Sequence, residues 1–140
     1  MATKIQLVFD SADPRALGEF WKAALGYRTQ APPERFDDWD DWARAQGEQS
    51  ANAIEDPDGV APRIFIQRVP EGKVAKNRLH IDLNVSGGPD VPLEERKVMV
   101  DKEVARLKAL GASDARGAIE QRGEYWVRMN DPEGNEFCVQ

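Results

Sequence analysis

The chain has 140 residues, 41% of them hydrophobic and 31% charged, and a net charge of −6. That length and apolar share suit one compact domain, residues 1–140, while the negative balance argues against a nucleic-acid partner. The single Cys138 excludes an intrachain disulfide; with no bilayer-length apolar run and no leader-like start, the expectation is a soluble, cytoplasmic protein.

Ile5 to Asp10 alternates apolar and polar, which predicts a half-buried strand with Gln6, Val8 and Asp10 on one face. Asp13-Pro14 predicts a helix start, because Asp accepts from free first-turn amides and Pro suits the first helical position. Leu17, Phe20, Trp21, Ala24 and Leu25 form one helix face, and Gly26 stops the helix. Tyr27 to Gln30 is a short predicted strand. Ala31-Pro32-Pro33 opens an insertion carrying Phe36, Trp39 and Trp42 among aspartates. The plain reading is a surface helix docked by its aromatics; the sharper one is a flap over a pocket, with Trp39 as a substrate contact.

Ala51 to Glu55 and Arg63 to Val69 are predicted strands flanking the turn Asp56-Pro57-Asp58-Gly59. Pro70 to Ala75 is a short connection. Leu79 to Val85 alternates again, with Leu79, Ile81, Leu83 and Val85 toward a core and His80, Asp82 and Asn84 away from it. His80 is the only histidine. Gly87-Gly88-Pro89 breaks the strand. Leu93, Lys97, Val100, Val104, Leu107 and Leu110 trace a long helix to Gly111. Ala112 to Gly117 contains a strand, Glu124 to Asn130 is another, Asp131-Pro132-Glu133-Gly134 is a turn, and Glu136 to Gln140 closes the chain with Cys138 opposite Phe137 and Val139. Trp126 alternates with Arg128 and Asn130, which assigns it to the polar face.

The chain repeats itself. The strand around His80 matches the one around Gln6, Ala109-Leu110-Gly111 matches Ala24-Leu25-Gly26, and the two Asp-Pro-acid-Gly turns match in the same order. Each copy reads strand, helix, three strands, over residues 4–70 and 78–140. The fold class is α+β: two tandem βαβββ modules forming a curved mixed sheet, helices on its outer face and polar side chains on its inner one. Such a cleft suits a small-molecule ligand.

This pattern, with Leu79-His80-Ile81-Asp82-Leu83 and the closing Asp131 to Val139 stretch, resembles the vicinal oxygen chelate superfamily of glyoxalases, bleomycin-resistance proteins and dioxygenases, and its glyoxalase-like subfamily above all. The resemblance implies a homodimer and, in metal-dependent relatives, one ligand from the first and last strand of each copy. Carried over, those positions are Gln6, Gln67, His80 and Cys138. Two neutral amides and a thiol are a poor set for a hard divalent ion. The expectation is therefore a cleft without metal or other cofactor, with His80 as acid or base and Asp82 beside it, and Gln6, Gln67, Trp126, Trp39 and Cys138 contacting a small oxygenated metabolite. Two alternatives stay open: a non-catalytic, antibiotic-sequestering protein, and a divalent-metal-dependent lyase, isomerase or dioxygenase holding its ion on Gln6, Gln67, His80 and Cys138. His80 has a plainer role too, as a pocket histidine bonded to Asp82. Cys138 has one as a small buried side chain. Lys76 and Arg78 either steer an anionic substrate or cover a strand edge.

Overall fold

The computed structural model describes residues 1–140. The chain divides into two compact units, Met1–Gly72 and Lys73–Gln140, each built on a four-stranded mixed sheet, the first with two helices and the second with one. The division falls in the predicted connection between the copies. No helix is long and apolar enough to cross a membrane.

In the first unit the elements are β1 (Leu7–Ser11), α1 (Pro14–Leu25), β2 (Arg28–Thr29), α2 (Trp39–Ala45), β3 (Ala51–Glu55) and β4 (Ile64–Arg68), with sheet order β1-β4-β3-β2. β1 runs parallel to β4 and the other pairs are antiparallel. Asp13 caps α1 by accepting from the Ala16 amide at 3.0 Å, and Gly26 ends it at φ 70°. α1 buries Leu17, Phe20 and Trp21 on the face of the sheet that carries Ile54, Ile64 and Ile66, and Trp21 stacks on Phe9 at 5.3 Å.

The insertion lies on the other face. Trp39 and Trp42 meet Phe65 edge-on at 6.0 and 5.9 Å, and Phe65 alternates with Ile64 and Ile66. The Trp39 indole also donates to the Gln30 carbonyl. Helices on both faces explain why Ala51 to Ile54 are all buried instead of alternating. Phe36 stays outside this cluster, under the Arg35 guanidinium.

In the second unit the elements are β5 (Asp82–Leu83), α3 (Leu93–Ala109), β6 (Ser113–Gln121), β7 (Glu124–Asn130) and β8 (Glu136–Val139), with sheet order β5-β8-β7-β6. β5 is parallel to β8. Leu83, Val127, Met129, Phe137 and Val139 are buried on one face, and α3 buries Val100, Val104 and Leu107.

Four local expectations are corrected. The strand predicted over residues 79–85 is reduced to Asp82–Leu83, though amide bonds from Cys138 to Ile81 and from Val85 to Gln140 extend its pairing; Leu79 is 72% exposed. Leu110 caps α3 and is exposed. On the buried stripe of α3 the cation is Arg96, not Lys97. Arg96 donates to the Val91 and Gly123 carbonyls and to Glu124, tying the helix start to the β6–β7 turn. Lys97 is half-buried over the Tyr125 ring and pairs with Glu94 and Glu120. The predicted strand over residues 112–117 also runs further, to Gln121.

The repeated turn has one physical basis in both copies. The Asp56 carboxylate accepts from the Asp58, Val60 and Ala61 amides, and Asp131 accepts from the Glu133 and Asn135 amides. These amides, Ala61 first, hold the Asp56 carboxyl below its usual range.

Candidate functional site

The alternation that buries Phe137 and Val139 turns Glu136, Cys138 and Gln140 to the other face of the second sheet, and does the same for Trp126, Arg128 and Asn130 on β7. With His80, Asp82 and Asn84 they line a cavity of about 1190 Å³. Trp126 and Tyr125 both line this cavity. The Tyr125 hydroxyl also donates to Asp101; burial and then that carboxylate push the phenol to about 12.

Register brings three of the lining side chains together. Cys138, on the inner strand β8, pairs with Asp82 on one side and Arg128 on the other. His80 lies just upstream of Asp82, its Nε2 3.5 Å from the Asp82 carboxylate. A ring nitrogen of His80, a carboxylate oxygen of Asp82 and the Cys138 sulfur all lie within 4.8 Å of one another. These three groups are a candidate ligand set for a metal ion. The segment leading to His80 is itself pinned: Glu136 accepts from the Asn77 amide at 3.0 Å and pairs with Lys73 at 3.1 Å. Burial pushes the Glu136 carboxyl up, but the amide and the ammonium outweigh it and hold the carboxyl at about 2.

Cys138 is 9% exposed. Burial first, then the Asp82 charge and hydrogen bond, raise its thiol pKa, while Arg128 and Lys76 pull it down. Left alone, the thiol stays protonated at neutral pH. A bound divalent ion would reverse that balance, because a coordinating thiol loses its proton.

The first unit carries Gln6, Gln67 and Trp39. Gln6 precedes β1 and accepts from Arg63 at 2.6 Å; Gln67, on β4, donates to Asp10 at 2.8 Å. They stand at opposite ends of the β1–β4 ladder, where Leu7 faces Ile64 and Asp10 faces Gln67. That separation is about 13 Å. The ladders also correct the position of Gln67. With Gln6 matched to His80, Val8 matches Asp82, and the partner of Val8 is Phe65, whereas the partner of Asp82 is Cys138. Phe65, not Gln67, is the counterpart of Cys138, and the two tryptophans of α2 close over it. Trp39 packs there as part of that aromatic cluster, with Arg63 above its ring at 5.7 Å.

Asp82 as a metal-ligand candidate was legible from its spacing, since residues two apart share a strand face. Arg128 was legible in the same way beside Trp126. What the sequence hid was the register that sets both against Cys138.

Residues 6–140 match the glyoxalase-like domain family. The chain belongs to that family. No curated protein matches this glyoxalase-like chain. Among solved structures it is similar to the hypothetical protein SA1046 of S. aureus, at 19% identity over 99% of this chain and 96% of that one, with a TM-score of 0.62. It is also similar to a possible glyoxalase from Bacillus cereus, at 18% identity, 100% and 99% coverage and a TM-score of 0.63. A third is a mutant of the fosfomycin resistance protein FosX from Listeria monocytogenes, complexed with Mn(II) and 1S,2S-dihydroxypropylphosphonic acid, at 14% identity, 100% and 90% coverage and a TM-score of 0.63. At these identities the likeness is one of fold.

Proposed function

We propose that this glyoxalase-like protein is a metal-dependent enzyme acting on a small oxygenated molecule, with His80, Asp82 and Cys138 as the protein ligands of a divalent ion. The observation that carries this reading is the convergence of those three donors on the wall of one cavity. It replaces the metal-free cleft expected from sequence. That expectation counted Gln6 and Gln67 as donors and found too little charge; Asp82 supplies a carboxylate instead.

The donor set fits an ion. Imidazole, carboxylate and thiolate together carry two negative charges, matching a divalent cation, and three protein ligands leave a position open. Donors around a tetrahedral zinc stand about 3.3–3.8 Å apart, so a spread within 4.8 Å needs only small side-chain adjustments. The sulfur favours zinc, cobalt or iron(II) over magnesium. The fold relative in complex with Mn(II) adds to the case for metal chemistry over a metal-free site. A bound ion would supply Lewis-acid polarisation of a substrate oxygen. The chain's own part is positional. Glu136 and Lys73 fix the approach to His80, Trp126 offers a flat wall, and Arg128 lines the same cavity.

A second reading keeps His80 as a proton carrier with Asp82 orienting it, supported by their 3.5 Å approach. Equilibrium dialysis against zinc, manganese and nickel, followed by elemental analysis, separates the two. The metal reading expects about one zinc per wild-type chain and none in His80→Ala or Cys138→Ser. Failure of wild-type protein to bind any of the three rejects it and leaves the proton carrier. Ligand binding without turnover by loaded protein would instead support a sequestering role.

The two units together form one glyoxalase-like domain in this proposal, and the domain pairs as a homodimer, because exposed edges such as the nine-residue β6 invite pairing. Sedimentation finding only monomer at high concentration would refute the dimer.

A further inference from the structure

The cavity of the second unit has a charge pattern opposite to that of the chain. The protein is net −6, yet the cavity is lined by Lys76, Arg96, Arg116 and Arg128 against Asp82, Glu124 and Glu136. The acids are all committed. Glu124 pairs with Arg96, Glu136 with Lys73, and Asp82 belongs to the cluster with His80 and Cys138. Lys76, Arg116 and Arg128 form no ion pair, so the wall holds a positive surplus.

Arg128 is the informative member. It is half-buried and its backbone register sets it directly across from Cys138. The two residues stand on neighbouring strands, about 4.5–5.5 Å apart, and both line the cavity. Asp82 is the one lining acid with no lysine or arginine partner, so Lys76, Arg116 and Arg128 outnumber it whether or not an ion is held there. A guanidinium in a concave wall favours a planar or tetrahedral oxyanion, which it grips through two parallel N–H bonds. Trp126 is next but one along β7 and faces the same cavity, offering an apolar surface for the remainder of a ligand.

We propose that the cavity takes a small organic acid whose carboxylate or phosphonate group is received by Arg128, with Lys76 and Arg116 drawing it in. This deepens the functional reading above and rests on the same cavity, but the charge preference does not require the ion.

The test uses full-length protein, with zinc and after chelation, and three probes: 2-hydroxy-2-phenylacetate, its neutral amide, and phenylphosphonate. Calorimetric titration should show at least one acid binding about tenfold tighter than the amide, with the preference shrinking as salt rises. Which acid binds tighter distinguishes carboxylate from phosphonate. Arg128→Met should reduce the preference to about twofold or less, and Arg128→Lys should keep part of it. Equal binding of acids and amide, a preference untouched by Arg128→Met, or no acid binding at about 10 mM overturns the proposal. If Arg128→Met does not fold, Arg128→Lys and the salt series decide the matter alone. Elemental analysis of the same samples keeps the two claims apart. An acid preference in protein that binds no metal rejects the metal reading and retains this one; bound metal without an acid preference does the reverse.

Discussion

Replacing Glu136 with glutamine tests whether the approach to His80 is held electrostatically. The carboxylate accepts from the Asn77 amide at 3.0 Å and pairs with Lys73 at 3.1 Å. Charge-assisted bonds contribute about 1.5–3 kcal/mol each when shielded. The two side chains are 21% and 26% exposed, so water screens part of this, and glutamine still offers an oxygen to Asn77. We expect Glu136→Gln to lose about 1–2 kcal/mol at pH 7. The pH dependence gives the sharper check. The folded carboxyl titrates at about 2, below an unfolded value of about 4.3. Its contribution is therefore complete above the unfolded value and is lost as pH falls through the folded one. Urea unfolding of both proteins at pH 7, 4 and 3 should show a difference that is largest at pH 7 and narrows with acid. A difference that stays constant with pH, or none at pH 7, would refute the reasoning.

Gly18→Ala should destabilise despite alanine's better helix propensity: the added Cβ would stand 2.1 Å from the Asn52 side-chain nitrogen, and displacing it breaks the bond to the Pro14 carbonyl. The net loss should be about 1–2 kcal/mol by thermal or urea unfolding. Arg96→Ala should cost about 3 kcal/mol or more, because it removes three hydrogen bonds and leaves the Gly123 and Val91 carbonyls without that donor. Cys138→Glu should shift metal preference from zinc toward manganese or nickel in competitive dialysis, since it exchanges a soft donor for a hard one.

Much of this molecule was legible because its signals are local. Asp13-Pro14 and Gly26 frame α1 as their backbone chemistry requires, and β3 and β7 occupy the stretches their composition marks. The repeat was visible because each Asp-Pro-acid-Gly turn is built by one aspartate gathering its own downstream amides. Alternation alone put His80, Asp82, Trp126 and Cys138 on polar faces. The failures share one cause, which is that register is a long-range property. Gln67 alternates correctly but lies two residues past the position matching Cys138, and no local pattern distinguishes it from Phe65. Arg96 and Lys97 are neighbours with the same charge, and only the β6–β7 turn decides which is buried. Leu79 satisfies the strand pattern, yet β8 offers its first inter-strand bond only at Ile81.

The most direct test of the central claim is cobalt(II) substitution followed by absorption spectroscopy. If His80, Asp82 and Cys138 share an ion, wild-type protein should take up about one cobalt per chain and show a thiolate-to-cobalt charge-transfer band with intense visible bands of low coordination number. The charge-transfer band should vanish in Cys138→Ser, and cobalt should be lost in His80→Ala. No uptake by wild-type protein, or uptake with weak bands and no thiolate signature, would contradict the account.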